Sequence, residues 1–177
     1  MESILKEIFQ QWEAIKAFFV FDTARLAEPD MIVRLGAQVL LLCGSAFFSG
    51  SETALFSLSR LDLQKLRRER NRHTETLHEL LDQPRRLIIS ILCGNELVNI
   101  ASAVNMAGIL LLVFGAQDVV WLNILIMVPL LLLIGEVTPK TIAVSYPIKF
   151  STRITAKILP RWMTFITPLR EVVRGGA

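Results

Sequence analysis

Three long apolar runs dominate the chain, at about residues 31–55, 86–114 and 119–145. Each is long enough for a helix to cross the ~30 Å hydrocarbon core of a bilayer, which takes about 20 residues. Lipid offers backbone groups no hydrogen-bond partner, so the pattern predicts three membrane-spanning helices. Between and after these runs the pattern becomes amphipathic. In "LFSLSRLDLQKLRRER" and "NRHTETLHELLDQP", Leu55, Leu58, Leu61, Leu63, Leu66, Leu77, Leu80 and Leu81 recur at helical spacing among bases, up to Pro84. That predicts a cytoplasmic helical hairpin at about 57–84, half sunk in the membrane interface. Residues 146–177 repeat the idea, with Ile148, Phe150, Ile154, Ile158, Leu159, Trp162, Phe165 and Ile166 interleaved with bases and a break expected at Pro160. Residues 1–30 read as an amphipathic helix on the membrane surface, since Glu2, Glu7 and Glu13 interrupt any signal-peptide core. The expected fold class is an all-α membrane protein: a transmembrane domain over 31–145 with a kinked third helix, and a juxtamembrane belt of amphipathic helices.

Composition agrees, with 53% of the 177 residues hydrophobic and a mean hydropathy of +0.50. The net charge of +3 matters through its placement. Arg60, Lys65, Arg67, Arg68, Arg70, Arg72, Arg85 and Arg86 lie between the first two runs, and Lys149, Arg153, Lys157, Arg161, Arg170 and Arg174 follow the third. The connection "GAQDVV" has neither Lys nor Arg. The positive-inside rule then places the amino terminus outside and the carboxyl terminus in the cytoplasm, in a cell membrane (plasma or inner) crossed several times. Topology accounts for the bases without a nucleic-acid partner, and anchoring accounts for the basic helices better than a calmodulin-target role. Cys43 and Cys93 fall inside spans and read as small packing residues.

Oxygen-bearing residues interrupt the apolar runs. Ser45 and Ser49 share one helix face and Glu52 follows a turn later, beside Gly44 and Gly50. Asn95, Asn99 and Ser102 form a matching stripe in the second run, again next to a glycine. Helix packing explains such serines as well as a site does. Glu136 shifts the balance, because an ionisable residue within a span by default marks a pathway or site. Its alternative is a local ion pair with Lys140 at i+4. Pro139 has no N–H to give the Gly135 carbonyl, and Pro129 none for that of Leu125, so the third span is expected to bend or bulge at both. At ~1.5 Å per residue, Ser45 and Glu136 lie roughly 20–25 Å from the outer ends of their spans and Asn95 roughly 14 Å from the inner end of its own. These depths are compatible. An all-oxygen set of one carboxylate with hydroxyls, amides and carbonyls favours a hard cation such as Mg²⁺, Ca²⁺ or Na⁺. Glu52 sits nearer the inner end, as a gate or packing partner. The small Ala101, Ser102, Ala103, Ala107 and Gly108 offer a face for close contact with a second copy, or for packing within one subunit.

"FFSGSETAL", "GNELVN" with a following serine, and "GEVTPK", in this order and at these separations, resemble the transmembrane module of the CNNM/CorC family of magnesium transporters, over about residues 32–170. The resemblance implies a homodimer and a Mg²⁺ site between the helices, built by Ser45 or Ser49, Asn95 and Glu136 with the Gly135 carbonyl beside them. Asn99, Ser102, Glu52, Pro139 and Lys140 are the candidates for surrounding or gating roles. It also implies cytoplasmic CBS domains in cis, followed by a small carboxyl-terminal domain. The sequence ends at "EVVRGGA" without either, so it reads as a piece of a longer protein. The expected function is Mg²⁺ transport, as export driven by Na⁺ moving the opposite way. A membrane-bound regulator of Mg²⁺ homeostasis would share the same ion site. An intramembrane serine protease would need a base beside its serine. His73 and His78 lie in the basic hairpin and only Lys140 is near, so no enzymatic activity is expected.

Overall fold

The computed structural model describes residues 28–68, 72–115 and 119–166, and among them every element is helical. The surface helix expected over residues 1–30 lies outside the described residues except for its last three positions, as does everything after residue 166. The three spans run Pro29–Phe56, Pro84–Phe114 and Val119–Ser145. Proline opens the first two, at a helical position that has no use for an N–H. The second closes at Gly115, whose positive φ of 76° lets its N–H return to the Leu111 carbonyl.

The hairpin comprises Arg60–Arg68 and Arg72–Leu81. Its first helix begins with a reciprocal cap. The Asp62 N–H donates to Ser59 Oγ at 3.1 Å, while the Ser59 hydroxyl and N–H both donate to Asp62 Oδ2, at 2.6 and 3.1 Å. Those bonds hold the Asp62 carboxyl below its usual range. A lowered folded-state pKa means the cap contributes fully at neutral pH and is lost as pH falls through that value.

The core lies at the hairpin end of the molecule. Phe48 and Leu55 of the first span, Leu66, Leu77 and Leu80 of the hairpin, Leu87 and Ile91 of the second span, and Leu159 and Met163 of the belt form one buried cluster. Trp162 ties it together, donating Nε1–H to the Ser90 carbonyl at 2.8 Å and meeting the Phe48 ring edge-on at 5.1 Å. Elsewhere the spans present Val39, Leu40, Val104, Leu125 and Leu133 outward, as helices facing lipid should. The first and second spans pack antiparallel in a register fixed by three contacts. Gln38 reaches Ser102, Gly44 meets Val98, and Phe48 lies on Gly94.

Two expectations about proline need correction. Instead of one bulge at each of Pro129 and Pro139, a single π-helical segment, Leu131–Val137, occupies the interval between them. Pro160 breaks nothing, since the helix Ala156–Phe165 runs through it. Burial of Leu159 and Met163 on either side holds that helix against the loss of one hydrogen bond. The belt contains a second π segment, Ser151–Thr155, after a short turn at Pro147–Phe150.

Candidate metal centre

Gly135 touches the first span. A Cβ added there would stand 2.6 Å from Ser45 Oγ and 3.3 Å from Ser45 Cβ, so only glycine allows the approach. The π register decides which carbonyls Pro139 leaves without its donor. The Thr138 N–H returns five residues, to the Leu133 carbonyl. Pro139 therefore serves neither the Ile134 carbonyl in the five-residue register nor the Gly135 carbonyl in the four-residue one. Counting four residues back from the proline identifies Gly135 alone; the slip adds Ile134.

On the second span, Val98 and Ser102 both meet the first span. Along the two polar stripes Ser45 Oγ, Ser49 Oγ, Asn95 Oδ1 and Asn99 Oδ1 are buried with no hydrogen-bond partner. Leaving a buried acceptor unpaired costs roughly 1–3 kcal/mol. Four such oxygens on two packed helices are expensive unless a ligand repays them.

Ser102 differs from these four. Its Oγ accepts from Gln38 Nε2 at 2.7 Å, Gln38 Oε1 accepts from Asn105 Nδ2 at 2.9 Å, and the same Asn105 amide donates to the Arg34 carbonyl at 2.9 Å. The result is a closed interhelical network toward the Phe114 end. Gln38 and Asn105 were not among the sequence candidates, although each continues its stripe, seven residues before Ser45 and three after Ser102. The small-residue face of the second span is also used within the chain. Ser102 is taken by Gln38, the Ala103 carbonyl accepts from Asn123 Nδ2 at 3.2 Å, and Arg34 covers Gly108.

Glu136 directly follows Gly135, and its Oε2 lies 3.8 Å from Lys140 Nζ with both side chains more than a third exposed. A pair this long and this open is weak. Pro139 is buried and Glu52 is half-buried one turn beyond Ser49. Among the described residues no three His, Cys, Asp or Glu side chains gather. The available donors are thus hydroxyls, amides, freed carbonyls and one carboxylate, a set suited to a hard cation.

Residues 36–175 match the family model of the cyclin M transmembrane N-terminal domain, CNNM. Over 106 residues the chain is 42% identical to the UPF0053 inner membrane protein YfjD of Escherichia coli (strain K12), covering 59% of this chain and 24% of that protein. It is 33% identical over 126 residues to a UPF0053 protein of Haemophilus influenzae, covering 68% of this chain and 30% of that one. The aligned parts thus make up less than a third of each of these relatives. With three apolar spans, a belt of amphipathic helices and a family match running from the first span through the belt, this is a multi-pass membrane protein that belongs to the CNNM transmembrane-domain family.

Proposed function

We propose that the chain forms the ion pathway of a magnesium transporter, moving Mg²⁺ across the cell membrane through an all-oxygen site between the first two spans and the π segment. The observation that carries this reading is the set of four buried, unpartnered oxygens of Ser45, Ser49, Asn95 and Asn99 beside the Ser45–Gly135 contact. Glu136 supplies the charge and the carbonyls of Gly135 and Ile134 complete the donor set. Mg²⁺ prefers six oxygens at ~2.0–2.1 Å and loses water reluctantly, so a site with one carboxylate holds it moderately and releases it readily, as transport requires. Export coupled to Na⁺ entry is the direction the family resemblance favours. Liposomes containing only the purified protein, loaded with a Mg²⁺-sensitive dye, provide the test. Flux that depends on the protein is expected, and its absence would leave the regulator reading in place of transport.

A homodimer belongs to the same proposal. Glu136 and Lys140 are partly exposed on the flank of an apolar span, where charged groups facing lipid would be costly. A second copy closing that flank removes the difficulty. For orientation, a cysteine at position 117, outside the described residues, should label from outside, and one at position 72 only from inside. Reversed labelling would overturn the topology. The relatives' additional length suits cytoplasmic domains in cis, for which CBS domains are the family expectation.

A further inference from the structure

Lys149, Arg153, Lys157 and Arg161 recur every four residues along the belt, and all four are exposed. Lys149 and Arg153 rim a groove of about 320 Å³ whose other walls are Ile142, Tyr146, Phe150 and Ile154. No carboxylate lines it, and Lys149 Nζ stands over the Tyr146 ring at 5.4 Å. The groove lies where the third span ends, since the backbone at Tyr146 turns out of helical geometry between Ser145 and Pro147. An aromatic ring and snorkelling bases at that depth mark the boundary between headgroups and acyl chains.

Two chemistries meet in this groove. A soluble anion would use the cations and leave the apolar wall wet; an uncharged lipid would use the wall and leave the cations unanswered. An anionic phospholipid satisfies both, with its phosphate between Lys149 and Arg153 and the upper part of an acyl chain along Ile142, Phe150 and Ile154. We propose that the groove is a binding site for a single anionic phospholipid. The site bears on the spans as well. The Phe150 ring fills the space over Gly50, where an added Cβ would meet it at 2.5 Å, and Thr155 Oγ1 donates to Ser51 Oγ at 2.9 Å. A lipid seated against Phe150 therefore braces the first span within two residues of Ser49.

Lys157 and Arg161 supply the control. They carry the same charge but line a separate hollow with His73, Thr76, Ala156 and Pro160, without the Ile and Phe wall. Native mass spectrometry of the purified protein, offered phosphatidylglycerol and phosphatidylcholine in equal amounts, tests the proposal. One retained phosphatidylglycerol is expected, with a preference on the order of tenfold or more. Lys149→Gln combined with Arg153→Gln should abolish that preference, while Lys157→Gln combined with Arg161→Gln should keep it. Ile154→Ser, which retains both charges, should also weaken retention, and glycerol 3-phosphate should not displace the lipid. Equal loss in the two double variants would show diffuse attraction to a charged surface. Displacement by glycerol 3-phosphate would show a soluble-anion site, and absence of any preference would leave no site. Each of these three results overturns the proposal.

Discussion

Glu136→Gln is expected to abolish measurable Mg²⁺ binding by calorimetry on the purified, folded protein. Of the proposed donors it alone carries a formal charge, and glutamine keeps its shape while removing that charge. In the proposed site, with the ion bound and the Glu136 flank closed by a second copy, carboxylate and Mg²⁺ form a buried charge pair, and taking one partner from such a pair costs on the order of 2–5 kcal/mol, or thirtyfold upward in Kd. The neutral oxygens alone are then too weak to offset the desolvation of Mg²⁺. Lys140 sharpens the test. In this structure the carboxylate sits 3.8 Å from the Lys140 ammonium, so the ion must compete with that cation. Lys140→Gln should therefore tighten Mg²⁺ binding, though only modestly, because an exposed pair of this length is worth about 0–1 kcal/mol. Pro139→Ala should weaken binding without removing any side-chain donor, since the restored N–H can recapture the carbonyl of Ile134 or Gly135. Unchanged affinity in Glu136→Gln would remove the proposed site altogether. Unchanged affinity in Pro139→Ala would remove only the carbonyls from it.

The spans were legible because their length is set by the bilayer, whereas the opening of the first two at Pro29 and Pro84 is seen in the structure. The distortion of the third span was legible as missing donors but not in its form. Whether a freed carbonyl leads to a bend or to a slipped register depends on packing, here on how closely Gly135 approaches Ser45, and that contact joins residues far apart in the chain. Pro160 was misread for the same reason, since local propensity predicts a break and the core around Leu159 and Met163 overrides it. On the polar stripes, helical spacing groups Asn95, Asn99 and Ser102, and Ser102 meets the first span. Spacing could not separate the two asparagine oxygens left unpaired from the serine already satisfied, because that distinction rests on the reach of Gln38 from the neighbouring helix. The small residues of the second span are in part occupied within the chain, on similar grounds. Smallness predicts close approach without naming the partner, and the partners are Gln38 and Arg34 of the same chain.

Gly135→Ala is expected to cost Mg²⁺ affinity as severely as the loss of a ligand, although it deletes no donor. The added methyl would sit 2.6 Å from Ser45 Oγ and 3.3 Å from Ser45 Cβ. Rotating the hydroxyl relieves the first contact but takes Ser45 Oγ away from the site. It leaves the second contact tight, so the first span must also move away from the π segment. Overpacking of this kind typically costs 1–3 kcal/mol. The melting temperature in detergent should therefore fall together with the Mg²⁺ affinity. A second substitution separates the two effects. Ser45→Gly in the same chain removes the two crowded atoms and leaves an ordinary contact with Leu131 at 3.6 Å, so the double variant should regain most of the lost melting temperature, while its Mg²⁺ binding stays weak because the hydroxyl is gone. If Gly135→Ala instead binds Mg²⁺ normally and melts normally, Ser45 and Gly135 do not approach as described. If the double variant recovers binding along with stability, the clash was the whole defect and Ser45 is not a ligand, which would leave Ser49 as the serine at the ion.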